Sequence, residues 1–220
     1  MNLSVRDTAN LLQVSEKTIY RWIKQEIIPA YRFQGQHRFN RAELLEWATS
    51  RRMGIEPEAF AEPESLALPL PTLTESFETG GIIYRLNGNS RDAVLKNLVT
   101  EMRLPDDIDR NYLHKVLVAR EELASTGIGE GIAFPHPHQP MLTRISKPMV
   151  TLAFLENPVD FHSLDGLPVN ILFSIISPTL RSHLYLLSML NFACRQPAFL
   201  QVLKNEGGRD EIFAELKTIK

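Results

Sequence analysis

Apolar residues recur at helical spacing in three short stretches near the start of the chain. Val5, Ala9 and Leu12 share one face of the first, which opens at Ser4, a residue type whose side-chain oxygen caps helices. Ile19, Trp22 and Ile23 share a face of EKTIYRWIKQ, which opens at Ser15 after the short Gln13-Val14 connection. Ile27-Ile28-Pro29 ends that helix. The β-like runs AYRF and HRF flank Gly35 and predict a hairpin. Asn40 then opens RAELLEWATSRR, with Leu44, Leu45 and Trp47 turned inward. The predicted order is helix, turn, helix, hairpin, helix.

The pattern changes after residue 80. GGIIYRL (80–86) reads as a strand. Ser90 opens a helix carrying Val94, Leu95 and Leu98, and Asp109 opens another carrying Tyr112, Leu113, Val116 and Leu117. GIAF (131–134) is a strand after the Gly-rich STGIGEG. MVTLAFL (149–155) and VNILFSII (169–176) are unbroken apolar runs of strand length, the signature of strands covered on both faces. RSHLYLLSMLNFACR, QPAFLQVLK and GRDEIFAELKTI finish the chain as helices. Alternating strands and helices predict an α/β fold with a buried sheet, whose strand order this pattern does not encode.

Composition and charge divide the 220 residues further. With 44% hydrophobic and 23% charged residues, the chain is neither disordered throughout nor a disulfide-rich miniprotein. Residues 1–52 hold nine Lys/Arg against five Asp/Glu. Residues 53–71 hold four acids, no base and four prolines, and read as a semi-stiff linker. Residues 72–220 are nearly neutral and form the second domain. No uncharged apolar run reaches about 18 residues, so no membrane span is expected. The single Cys194 permits no intrachain disulfide, and charges at Arg6, Asp7, Glu16 and Lys17 break any signal-peptide core. The expected compartment is the cytoplasm.

The basic head has the chemistry of a nucleic-acid reader. Lys17, Thr18, Arg21 and Lys24 lie on the second helix, which would enter the major groove, and Arg32, His37 and Arg38 lie on the hairpin beside it. Lys17, Arg21 and Arg38 are the strongest candidates, while Trp22 and Trp47 belong to the core. "LSVRDTANLLQVSEKTIYRWIKQEIIPAYRF" and "HRFNRAELLEW" resemble the excisionase-type, MerR-like winged helix-turn-helix family. The resemblance implies a small winged domain over residues 1–52 that binds duplex DNA. One unit this small binds weakly, so a homodimer is expected to supply a second half-site.

The most unusual stretch is REELASTGIGEGIAFPHPHQP (120–140). Gly127, Gly129 and Gly131 bring backbone close together and are expected to aim N–H groups into one concavity. Pro135 and Pro137 pin His136 at a strand end. A pinned neutral imidazole near N–H groups and a cation suits phosphoryl transfer: it is nucleophilic, and its phosphoramidate passes the group onward. "REELASTGIGEGIAFPH", with "VDFHSLDGLPVNILFSIISP" and "RSHLYLLSML" downstream, resembles the IIA domains of the phosphotransferase system, fructose/mannitol and nitrogen-regulatory class. That resemblance implies a sandwich with a mixed sheet flanked by helices over residues 72–220. It also implies His136 as phosphoacceptor through Nε2, His183 beside it, Arg120 as positive charge, and the histidine-phosphorylated carrier HPr as donor. Such transfer needs no cofactor or metal, and the protein would be a stoichiometric carrier. Many relatives continue Pro-His with Gly-Lys; here Pro137-His138-Gln139-Pro140 follows.

Other residues read blandly. His183 also suits a core position, and His138 is too close to His136, with no third ligand nearby, to make a metal site. His114 and His162 read as surface or packing residues, Cys194 as buried, and Asp160 and Asp165 as turn residues. Three functions stand open. The chain is a regulator in which phosphate on His136 acts on DNA binding, a plain carrier feeding a separate IIB sugar-transport component, or a non-phosphorylated docking module.

Overall fold

The computed structural model describes residues 2–33, 35–51, 53, 70–137 and 145–219. The chain divides into two units, Met1–Ala67 and Leu68–Lys220. Most of the acidic, proline-rich strip lies outside the described residues.

The first unit contains β1 (Asn2–Leu3), α1 (Val5–Leu11), α2 (Glu16–Lys24), β2 (Tyr31–Phe33), β3 (Gln36–Asn40) and α3 (Arg41–Ser50). Ser4 caps α1 in a reciprocal box with Asp7, whose carboxyl is held below the usual carboxylate range by its side-chain and backbone hydrogen bonds with Ser4. Ser15 caps α2 by accepting from Thr18 N at 3.2 Å. The β2–β3 hairpin turns at Gly35 (φ 76) as the sequence predicts. The sequence reading does not include β1, a two-residue strand that pairs antiparallel with β3. Leu3, Ala9, Leu12, Ile19, Ile28, Phe39, Leu44 and Ala48 form the core. Trp22 and Trp47 close it edge to face at 5.5 Å, and Trp47 Nε1 donates to Ile27 O at 2.7 Å.

The second unit begins with α4 (Leu73–Gly80), followed by β4 (Ile82–Leu86), α5 (Arg91–Glu101) and α6 (Arg110–Leu123). Then come β5 (Gly127–Gly129), β6 (Ile132–Ala133), β7 (Met149–Val159), β8 (Val169–Ile176), α7 (Leu180–Ala193), α8 (Pro197–Lys204) and α9 (Arg209–Thr218). The strand order is β4-β7-β8-β6-β5. The β4–β7 and β6–β8 pairs are parallel, and β7–β8 and β5–β6 are antiparallel, so the sheet is mixed. Every residue from Met149 to Leu155 is buried. Leu98, Val99, Leu113 and Leu117 of α5 and α6 cover one face over Ala153, Leu155 and Leu172. On the other face Phe77 of α4 meets Phe173 at 5.9 Å. Among the described residues no helix is long and apolar enough to cross a membrane.

Helix α4 went unread because TLTESFET carries only two large apolar residues, yet Thr72 and Glu75 complete a capping box. The helix ends where the chain presses on β7. A Cβ at Gly80 would lie 2.2 Å from Val150 O, and Thr151 Oγ1 donates to Gly80 O at 3.2 Å. Gly80→Ala is therefore expected to lower stability by about 1–3 kcal/mol through overpacking against backbone. Urea denaturation checks this, and an unchanged midpoint would mean that α4 withdraws from β7 at no cost.

Candidate functional site

His136 lies just past β6, and the chain around it is tied on both sides. Phe134 N donates to Thr126 O at 3.0 Å, toward β5, and Ile175 N of β8 donates to Pro135 O at 3.3 Å. The Phe134 ring packs edge to face on Phe173 at 5.7 Å. Backbone, ring and prolines thus hold the residue before His136 from three directions.

The ring of His136 bends back on this support. Its Nδ1 lies 2.6 Å from Phe134 O. A carbonyl oxygen only accepts, so Nδ1 carries the proton and the neutral ring keeps its lone pair on Nε2. His183, in the first turn of α7, brings its ring to 5.1 Å from that of His136, tilted by 52°. Thr179 caps this helix by accepting from Ser182 N, and Thr179 O accepts from His183 N at 3.1 Å. The first turn of α7 holds no acid of its own and includes Arg181.

Arg120 occupies the last turn of α6, is 7% exposed, and donates from Nη1 to Ala124 O at 2.7 Å. Its neighbour Glu121 is buried and accepts from Thr126 N at 3.0 Å and from Thr126 Oγ1 at 2.5 Å. The sequence motif contains Glu121 but sequence reasoning gave it no role; its signal was an acid in the last turn of a helix, with Ser-Thr-Gly just beyond.

The Gly-rich segment forms the β5–β6 hairpin. Gly127 and Gly129 are in β5, and Glu130 (φ 57) with Gly131 (φ 74) makes a tight turn into β6. Gly131 O receives Asn170 N and Ile171 N at the start of β8, whereas His136 lies near its end. Glycine here serves a hairpin, because consecutive positive φ values exclude most side chains. Both imidazoles are buried: His136 is 3% exposed and His183 2%.

The remaining residues fall into ordinary places. His114 pairs with Asp92 at 3.0 Å, and His162 with Asp160 at 2.9 Å. Asp165 accepts from Glu130 N at 2.8 Å, fastening the segment after β7 along the β5 edge. Cys194 is half-buried rather than buried. Among the described residues no group of three or more His, Cys, Asp or Glu could hold a metal, and His138 lies outside them.

In the first unit, Lys17, Arg21 and Lys24 are exposed along α2. Thr18 is half-buried, and its Oγ1 lies 3.0 Å from Ser15 Oγ, which commits it to the cap. Register divides the hairpin. Arg32 pairs with His37, and Tyr31 with Arg38, so these pairs occupy opposite faces. His37 meets the exposed Tyr20 of α2 edge-on at 6.5 Å, which puts Arg32 and His37 on the side of α2. Arg38 bonds Gln36 at 2.7 Å, and its charge helps to keep the Asp7 carboxyl low, which places it toward α1.

Comparison with known proteins follows the same division. Residues 75–219 match the family model for the phosphoenolpyruvate-dependent sugar phosphotransferase system, EIIA 2, and residues 3–52 match a helix-turn-helix domain. A nitrogen regulatory protein of Pseudomonas aeruginosa is 37% identical over 123 residues, covering 54% of this chain and 77% of that protein. The fructose-specific EIIABC component of Bacillus subtilis is 30% identical over 122 residues, covering 54% of this chain and 19% of that one. The crystal structure of the nitrogen regulatory protein IIA-Ntr from Neisseria meningitidis shares the fold with TM-score 0.53 at 24% identity, over 61% of this chain and 92% of that one. The match over residues 75–219 covers more than half of the chain: the chain belongs to the EIIA type 2 family of the phosphotransferase system and carries a helix-turn-helix domain ahead of it.

Proposed function

We propose that this chain is a phosphorylation-responsive regulator. His136 takes a phosphoryl group from the phosphohistidine of an HPr-like donor, and the amino-terminal domain, as a homodimer, binds duplex DNA in a way the phosphoryl group alters. The observation that carries the first half is the bond from His136 Nδ1 to Phe134 O, which leaves Nε2 as the nucleophile. The lone pair on Nε2 forms the new N–P bond while the donor's N–P bond breaks and its electron pair returns to the donor imidazole. His183 donates to a phosphoryl oxygen in this reading, which the 5.1 Å separation of the two rings supports. The amino end of α7 and Arg120 add positive potential. Because His136 is 3% exposed, the donor reaches Nε2 only when the side chains around it part.

The second half is supported by the exposed Lys17, Arg21 and Lys24 on α2, with Arg32 and His37 of the hairpin on the same side. Lysine and arginine there neutralise phosphates, and Tyr20 adds a flat apolar edge. Two other readings keep specific support. A plain carrier passing phosphate to a IIB component is favoured by the likeness to the fructose-specific EIIABC component. A docking module without phosphate is favoured by the burial of the ring.

Incubation with phosphoenolpyruvate, enzyme I and HPr is expected to place acid-labile phosphate on the wild type and none on His136→Gln. Equal labelling of the two, or none on either, removes the acceptor reading. In salt titrations of duplex binding, Lys17→Ala with Arg21→Ala is expected to weaken affinity for all sequences and to reduce the salt slope by about 2. An unchanged slope removes α2 from the interface. Promoter occupancy by His136→Asp is expected to differ from that of the wild type; equal occupancy favours the plain carrier.

A further inference from the structure

We propose that Glu121 is the positioning residue for the His136 imidazole, an inference that rests on reading His136 as the acceptor. A run of hydrogen bonds joins them. The Glu121 carboxylate accepts from Thr126 N at 3.0 and 3.2 Å and from Thr126 Oγ1 at 2.5 Å. Thr126 O accepts from Phe134 N at 3.0 Å, and Phe134 O accepts from His136 Nδ1 at 2.6 Å. Glu121 thus fixes Thr126, Thr126 fixes Phe134, and the Phe134 carbonyl fixes the ring.

The carboxylate is costly where it stands. Glu121 is 5% exposed, and no cation pairs with it among the described residues. A buried acid without a counter-charge is destabilising unless hydrogen bonds satisfy it, and here all three come from one residue. Strand pairing alone holds this edge poorly: β5 is three residues long, two of them glycine, and its register against β6 shifts between Gly127 and Gly129. An anchor outside the ladder supplies what pairing lacks. The consequence is chemical. If Phe134 O drifts, Nδ1 loses its acceptor, the imidazole proton is free to move to Nε2, and the nucleophilic lone pair leaves the face meant for phosphorus. Throughout transfer the Nδ1 proton stays on its bond to Phe134 O while Nε2–P forms.

The test is Glu121→Gln in the full chain, read by nitrogen-15 NMR of the His136 ring and by the initial rate of phosphorylation from phospho-HPr, with thermal melting as the control for folding. The wild type is expected to show a single Nδ1–H tautomer. Glu121→Gln is expected to mix the two tautomers and slow phosphorylation about 10–100-fold, as loss of an orienting partner does elsewhere. Glu121→Asp is expected to recover part of the rate. A folded Glu121→Gln with one tautomer and the wild-type rate overturns the proposal. Should Glu121→Gln not fold, Thr126→Val removes the 2.5 Å hydroxyl bond and keeps the backbone donor, with a smaller shift expected in the same direction. An unmixed tautomer in that variant overturns the proposal equally. Should the wild type take no phosphate, the tautomer ratio still decides the role of Glu121, and only the acceptor reading falls.

Discussion

The hydrogen bond between the His136 ring and the carbonyl of Phe134 is the constraint on which the chemistry proposed for the second unit depends. An imidazole is a usable nucleophile on one nitrogen only when the other is told to keep its proton. Here the instruction comes from backbone, and backbone is only as fixed as the sheet that carries it. The short β6 would be a weak platform by itself. It is held by β8 on one side, by β5 on the other, and by the stack of Phe77, Phe173 and Phe134 beneath. The apolar interior and the ring geometry are therefore one design: burial of the phenylalanines sets the position of a carbonyl oxygen.

What could be read from the sequence tracks the strength of each local signal. The runs 149–155 and 169–176 announced doubly covered strands because every residue in them had to be apolar. Ser4 and Ser15 announced helix starts because capping is a local contest that tertiary packing seldom overrides. His136 and His183 were singled out through the motif around them, and their ring centroids lie 5.1 Å apart. Long-range information failed. β1 exists only because Leu3 meets Phe39 across thirty-five residues of chain, and β5 exists only because Gly127 meets Ala133. Glycines at 127, 129 and 131 suggested a cradle for an anion, but the same residues suit a tight hairpin, and periodicity does not choose between them. Burial of the imidazole was also invisible, since it depends on where α7 lands on the sheet.

The hairpin of the first unit shows how pairing register sorts neighbouring residues. His37 and Arg38 are adjacent and both basic, yet the pleat turns one toward Tyr20 of α2 and the other toward Asp7 of α1. Sequence treats them as one patch; the strand treats them as two. Charge on a strand is informative about a partner only once the period of two has been applied.

Burial of the His136 ring gives its proposed acceptor role a temporal side. Walls that hinder arrival hinder departure as well, and they keep bulk water from the bond once it is made. In the acceptor role proposed for His136, a sheltered phosphoramidate would decay slowly, and its occupancy would average the supply of donor over an interval instead of following each fluctuation. An open histidine would make a conduit; under the same proposal, one this deep in the protein would make a clock.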